Sequence, residues 1–259
     1  MTLNYSLSTS ADGRQLLTLL DSIDAFIPGD IHIPFHDVKA VNTALDYAAG
    51  WTSTCIITGD FIDNYGLSPF PKDPKTLAKY RVVDEAAGTA KVVDRLEKQF
   101  ENVIYIPGNH ETRWDSIVKK TPALDGLEWW WPLRGHLPSH WVLLNPGARI
   151  RQKAADGRWV YIEHGDKVNR SPSFVTADKL TTLYPDQITI IGHNHRLAAH
   201  HRTHWTRNRC TISSAYSVGH LSSVKKTGYI SNPDWQLGFG LLSRTGNVDL
   251  KQVYRGRVL

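Results

Sequence analysis

Five short apolar runs in this chain each end at a glycine beside an acid, an amide or a histidine. They are "IDAFIPGD" (23–30), "STCIITGD" (53–60), "NVIYIPGNH" (102–110), "RWVYIEHGD" (158–166) and "QITIIGHNH" (187–195). A short apolar run bounded by turn residues reads as a buried strand. Helical patterns lie between these runs. Val41, Ala44, Leu45 and Ala48 recur at helical spacing before Gly50. Tyr80, Val83, Ala87, Ala90, Val93, Leu96 and Phe100 mark one face of a single long helix, with Gly88 a weak point inside it. Further helices are predicted from Glu111 toward Pro122 and around "TADKLTTLY" (176–184). The Pro-rich "NYGLSPFPKDPK" (64–75) is a loop, and from about Arg202 onward the pattern is β-structure with turns at "NPD" and "TGN". Strands alternating with helices, then more strands, predict a layered α/β domain. The reading is one domain over 1–259, with a Trp-rich insertion at about 121–148 carrying "LDGLEWWWPLRGHLPSHW".

Composition narrows the class. Of 259 residues, 41% are hydrophobic and 21% charged, which is a globular composition and excludes a disordered chain. No apolar run approaches the ~20 residues of a membrane helix. The stretch "MTLNYSLSTSADGR" has no basic region followed by an apolar core, so no secretory signal is expected. Two cysteines, Cys55 and Cys210, cannot build a disulfide framework. The expectation is a cytoplasmic protein with no membrane partner.

The strand ends carry the chemistry. Asp30 and His32 follow the first run, Asp60 the second, and Asn109, His110 and Glu111 the third. His164 closes the fourth, and His193 and His195 the fifth. In open α/β sheets ligands bind at the carboxyl ends of strands, so these ends are expected to converge. Carboxylate, imidazole and amide oxygen together suit divalent ions, and the lack of cysteine ligands argues against a structural zinc. Seven candidate ligands are too many for one ion. Two ions about 3.5–4 Å apart, sharing a carboxylate, would use them all. A lone D-x-H or G-H-x-H carries little information, and a single buried histidine is more often a core group than a ligand.

The ordered set "GDIH", "GDFIDN", "GNHE", "EHGD" and "GHNH" resembles the calcineurin-like metallophosphoesterase superfamily. The resemblance runs from Asp30 to His195. It implies a four-layer α/β/β/α sandwich and two divalent metal ions, expected to be manganese, with iron, zinc or nickel as alternatives. Asp30, His32 and His195 would bind the first ion, Asn109, His164 and His193 the second, and Asp60 would bridge them. His110 would be the catalytic acid over the scissile phosphate, with Asp63 orienting its ring. The attacking group would be a hydroxide between the ions. Protein phosphatases of the superfamily carry an arginine after this Asp, whereas here Asn64 stands there. The loss of a bidentate phosphate clamp points toward the phosphodiesterase and nuclease side.

Charge suggests a substrate. The net charge is +5, and no Asp or Glu occurs from 187 to 233. Arg196, Arg202, Arg207 and Arg209 lie in that interval with Trp205 among them, and with Asn64 they are the candidate substrate-binding residues. Basic groups interleaved with an aromatic suit single-stranded nucleic acid. A nucleotide phosphatase or other phosphomonoesterase is the alternative, and a non-catalytic binding protein the remote one.

Overall fold

The computed structural model describes residues 3–72, 74–165, 173–227 and 233–259. Asp166 of "EHGD" and Asn232 of "NPD" lie outside them. Fourteen strands among these residues form two seven-stranded mixed sheets. The first sheet begins with a hairpin of β1 (Tyr5–Thr9) and β2 (Gln15–Leu19). It continues through β7 (Arg149–Lys153), β8 (Trp159–Glu163), β9 (Gln187–Ile191) and β11 (Cys210–Val218), and ends at the edge strand β10 (Leu197–Trp205). The second runs β14 (Arg257–Val258), β13 (Val248–Tyr254), β12 (Gly238–Leu242), β3 (Ala25–Pro28), β4 (Thr54–Ile57), β5 (Asn102–Tyr105) and β6 (Val142–Leu143).

Alternation along the central strands makes the layers. Successive side chains of a strand point to opposite faces. Ala25 and Ile27 of β3, Ile56 of β4 and Ile104 of β5 pack between the sheets against Leu17, Ile150, Ile162 and Ile190. The intervening Phe26, Cys55, Ile57, Val103 and Tyr105 face outward, where helices cover them. On that side lie α1 (Val38–Ala48) and, after the short α2 (Pro74–Leu77) in the chain, α3 (Val82–Gly88) and α4 (Ala90–Gln99). Next along the chain is α5 (Arg113–Val118). The other sheet's outer face is covered by α6 (Ser173–Leu183), whose Leu180 meets Ile191 and Ala215. One further short helix, α7 (Val224–Thr227), precedes β12. The four-layer α/β/β/α sandwich is therefore the architecture.

One expectation changes. The helix from Tyr80 to Phe100 is two helices, because the chain breaks at Gly88 and Thr89 caps the carbonyl of Ala86 through its hydroxyl. The break resets the helical phase, leaving Val83 65% exposed while Ala86, Val92, Val93 and Leu96 face the core. The N-terminal hairpin was not foreseen, since "YSLST" is exposed throughout and carries no buried face. In the Trp-rich segment, Trp129 and Trp141 are buried, Trp129 edge-on to Tyr105 and Trp141 donating to Glu97. Trp130 and Trp131 are half-buried, so the segment closes the β5–β6 edge of the core.

Candidate metal centre

Three of the strand ends deliver ligands through turns that a regular strand would not make. His32, Asp60, His193 and His195 all have φ between 50° and 65°. Non-glycine residues in the left-handed region are uncommon, and a cluster of them marks a functional site. Glycine makes the approach close enough: a side chain at Gly108 would collide with the Asp60 carboxylate, and one at Gly192 with that of Asp30.

The structure brings all seven candidate ligands together. Asp30, His32, Asp60 and His195 form one buried group, and Asp60, His164 and His193 a second that shares Asp60. His32 Nε2 lies 2.9 Å from His195 Nε2 and 3.8 Å from Asp60 Oδ2. His195 Nε2 is 3.2 Å from Asp30 Oδ2. On the other side, His164 Nε2 is 3.0 Å from Asn109 Oδ1, 3.2 Å from His193 Nδ1 and 3.6 Å from Asp60 Oδ1.

Tautomers decide what this centre accepts. His164 Nδ1 sits 2.8 Å from the Thr58 carbonyl, so its proton is there and Nε2 carries a lone pair. His32 Nδ1 sits 3.0 Å from the Asp63 carboxylate, with the same consequence for its Nε2. Both Asp30 oxygens are buried and meet no hydrogen-bond donor. Lone pairs and carboxylates therefore converge with too few protons between them, which is the electrostatic shape of a divalent-cation site. The residues fit the ions that the sequence implies.

Charge in the centre is uneven. Burial, reinforced by Asp60, pushes the Asp30 carboxyl up to about 6. For Asp60 burial acts upward too, but His110, His164 and His32 outweigh it and hold the group well below the usual carboxylate range. Burial, with the charge of His32, pushes His195 down, which keeps it a neutral ligand. Asp30 must be ionised to ligate, so above about pH 6 its proton is already gone and below it the metal must displace one. Burial lowers the His164 imidazole, but Asp60, Asp30 and Glu111 outweigh it and raise the group, so its proton must be displaced too, and metal affinity is expected to fall with pH through both groups, by up to about tenfold per unit for each proton. Chelator competition at pH 5 and pH 7 measures this, and equal affinities would remove Asp30 from the ligand set.

Around the ligands lie groups that hold them. Asp63 stands between two histidines, 3.0 Å from His32 Nδ1 and 3.3 Å from His110 Nδ1, while its backbone carbonyl accepts from His110 Nδ1 at 2.8 Å. His110 N–H donates to Asp60 Oδ1 at 3.0 Å. Burial lowers the His110 imidazole, but Asp60 and Asp63 outweigh it and raise the group above its ordinary value. Glu111 binds the loops together. Its buried carboxylate accepts backbone N–H groups of Asp60, Phe61, Ile62 and Gly108, and the Tyr105 hydroxyl. Sequence reading noted Glu111 only as a strand-end acid.

Of the proposed substrate residues, Asn64, Arg196, Arg202 and Arg209 have other partners. Asn64 is buried in the left-handed region and its amide donates to the His110 carbonyl, so it supports the loop from beneath. Arg196 lies 3.4 Å from Asp234. Arg202 pairs with Asp178 on α6 and donates to Thr182. Arg209 pairs with Asp186. The β10 strand leads away from His195, and nine residues at about 3.3 Å each place Arg207 and Arg209 roughly 26 Å or more from the ligands. Closeness in sequence misled because a strand is the longest path per residue. Two neighbours were missed. Arg113 donates to His110 Nε2 at 3.0 Å, and the half-buried Trp235 ring stands 4.3 Å from that of His195. For Arg113 the only signal was its place in the chain, three residues after His110 at the start of α5. For Trp235 there was none. A cleft beside Asn109 and His164 is lined by Arg14, Thr112 and Glu163.

A two-sheet sandwich with carboxylates and imidazoles at its strand ends defines the metallophosphoesterase class. The calcineurin-like phosphoesterase family matches residues 27–217, well over half of the chain, and the chain belongs to that family. No curated protein sequence matches it. Among solved structures, Vps29 of Cryptosporidium parvum is similar, with 14% identity, a TM-score of 0.46, and coverage of 92% of this chain and 94% of that one. Wild-type Vps29 of Entamoeba histolytica complexed with zinc has 14% identity and a TM-score of 0.43, covering 92% and 96%. Among the described residues no helix is long and apolar enough to cross a membrane.

Proposed function

We propose that the chain hydrolyses phosphodiester bonds with two divalent ions, manganese foremost, and that its substrate is a single-stranded nucleic acid. The observation that supports the ion pair is the shared Asp60, whose two oxygens face His32 and His164 from opposite sides. Asp30, His32 and His195 hold one ion, Asn109, His164 and His193 the other. When bound, the ions supply Lewis-acid charge to the phosphoryl oxygens and lower the pKa of water. The protein's own part is orientation. Asp63 fixes the rings of His32 and His110 and Glu111 holds the two ligand loops, while His110, whose Nε2 accepts from Arg113 in this structure, would act on the leaving oxygen once that contact is exchanged for a proton.

Support for a diester comes from Asn64, which is buried and uncharged where a loop arginine would grip a dianionic phosphoryl group. Support for a polynucleotide comes from the β10–β11 hairpin, whose Trp205 is 77% exposed beside the exposed Arg207 and Arg209. Stacking and phosphate contacts there suit a single strand. Metal-loaded protein is tested on a bis-aryl phosphate, an aryl monophosphate and single-stranded DNA. Hydrolysis of the monophosphate alone would overturn the diester reading. Replacing Arg202, Arg207 and Arg209 by Ala is expected to flatten the log–log salt dependence of strand binding by about two units, at roughly 0.7 per lost contact. The aryl diester, too short to reach the hairpin, should be cleaved unchanged. Salt-independent activity without strand binding would favour a nucleotide as substrate. Arg113 specifically favours a monoester reading, because it offers a guanidinium beside the same loop.

A further inference from the structure

The residue that follows Asp63 is Asn64 and not a cation, yet a guanidinium is present at that place. Arg113 reaches in from α5. Its Nη1 donates to the Asp63 carbonyl at 2.8 Å, and lies 3.4 Å from both the Asp63 carboxylate and the Asn64 carbonyl. Its Nη2 donates to His110 Nε2 at 3.0 Å. Its side chain is 15% exposed, so the guanidinium is partly desolvated and still open to a ligand. His110 Nε2 is in turn 4.0 Å from Asp60 Oδ2, so Arg113 stands one imidazole edge away from the shared ligand.

We propose that Arg113 is the phosphate clamp of this chain, supplied from a helix in place of the arginine that its Asp63–Asn64 loop does not carry. This rests on the phosphoesterase reading above. Two features of the geometry support it. The Asp63 backbone carbonyl anchors Nη1 with a short bond, which orients the planar fork without consuming Nη2. The partner of Nη2 is a neutral ring nitrogen, a weaker acceptor for a guanidinium than a phosphoryl oxygen, because charge-assisted bonds are roughly twice as strong. A phosphoryl group arriving over Asp60 therefore draws Nη2 from His110 to itself. Clamping a dianion gains more than clamping a monoanion, so Arg113 also sets the balance between monoesters and diesters.

The test compares metal-loaded wild type with Arg113→Ala and Arg113→Lys. Metal content is measured first, since Arg113 contacts no ligand side chain among the seven and both variants should hold the wild-type complement. Calorimetry with inorganic phosphate is then expected to show binding weakened about 10–100-fold in Arg113→Ala, with partial recovery in Arg113→Lys, because a lysine restores charge but not the fork. The aryl monophosphate should lose more in KM than the bis-aryl phosphate, and added guanidinium should restore part of that loss. Unchanged phosphate affinity in a metal-replete Arg113→Ala would overturn the clamp, as would a wild type that binds no phosphate. A wild type that hydrolyses neither ester but shows the Arg113-dependent phosphate binding would overturn the hydrolase reading and leave the clamp standing. Equal weakening in Ala and Lys variants with lost metal would make Arg113 a purely structural residue and also reject the proposal.

Discussion

Asp60→Asn is expected to yield a folded protein that retains at most one weakly held divalent ion. Asp60 acts on the fold through its backbone. Its carbonyl accepts the N–H groups of Ile31 and His32 at 3.0 and 2.8 Å, and its own N–H is held by Glu111. An asparagine keeps all of these, and its side-chain oxygen can still accept from the His110 N–H. The charge is what it removes. Both carboxylate oxygens face imidazole nitrogens of opposite ligand groups, so one substitution weakens both. Loss of an outer partner typically costs about 10–100-fold in metal affinity, and loss of a shared charged ligand should exceed that. Elemental analysis of the purified variant measures the outcome. Two tightly bound ions per chain would show that Asp60 does not bridge them.

His110→Ala is expected to behave in the opposite way, keeping both ions and losing roughly 10²–10⁴ in turnover, the range for a positioned proton donor. His110 Nε2 is 4.0 Å from Asp60 Oδ2 and faces Arg113, whereas the ligand nitrogens of His32 and His164 face other acceptors. Its ring is held by Asp63, whose carboxyl burial would raise but the bonds from His110 and His32 keep well below the usual range. If the ring protonates the leaving oxygen, the loss should shrink for leaving groups that need no proton, such as nitrophenolate. Turnover across a series of aryl esters reads this directly. An equal loss at every leaving-group basicity would show that His110 acts by positioning or charge alone. Loss of metal in this variant would place it among the ligands.

How much of this centre was legible depended on distance along the chain. Asp30, His32, Asp60, Asn109, His164, His193 and His195 each sit within a few residues of an apolar run, and the run marks the strand that carries them. The buried face of each central strand was readable for the same reason, since alternation is local. Asn64 was misread because its identity says nothing about direction. The left-handed turn at this residue tucks the side chain under His110. The single long helix was expected because apolar residues recur on both sides of Gly88, and only the fold shows that Val83 and Ala87 face solvent while Ala86 is buried. The arginines of the acid-free block read as one patch in sequence, yet Arg202 and Arg209 have acidic partners in Asp178 and Asp186, both of which precede the block.

From its sequence alone the chain determined its donor set and, through the order of those donors behind strands, its family and layered fold. Those properties follow from local chemistry: which side chains can ligate, and where apolar runs stop. Only the tertiary structure decided how the groups meet. Parallel pairing of β3, β4 and β5 sets Asp30, Asp60 and Asn109 at one edge of a sheet. Nine residues of antiparallel pairing with β11 carry β10, and with it Trp205 and the arginines of its hairpin, away from that edge. The turn before α5 brings Arg113 onto His110. Each of these depends on hydrogen bonds between segments far apart in the chain, and no window of sequence contains both partners.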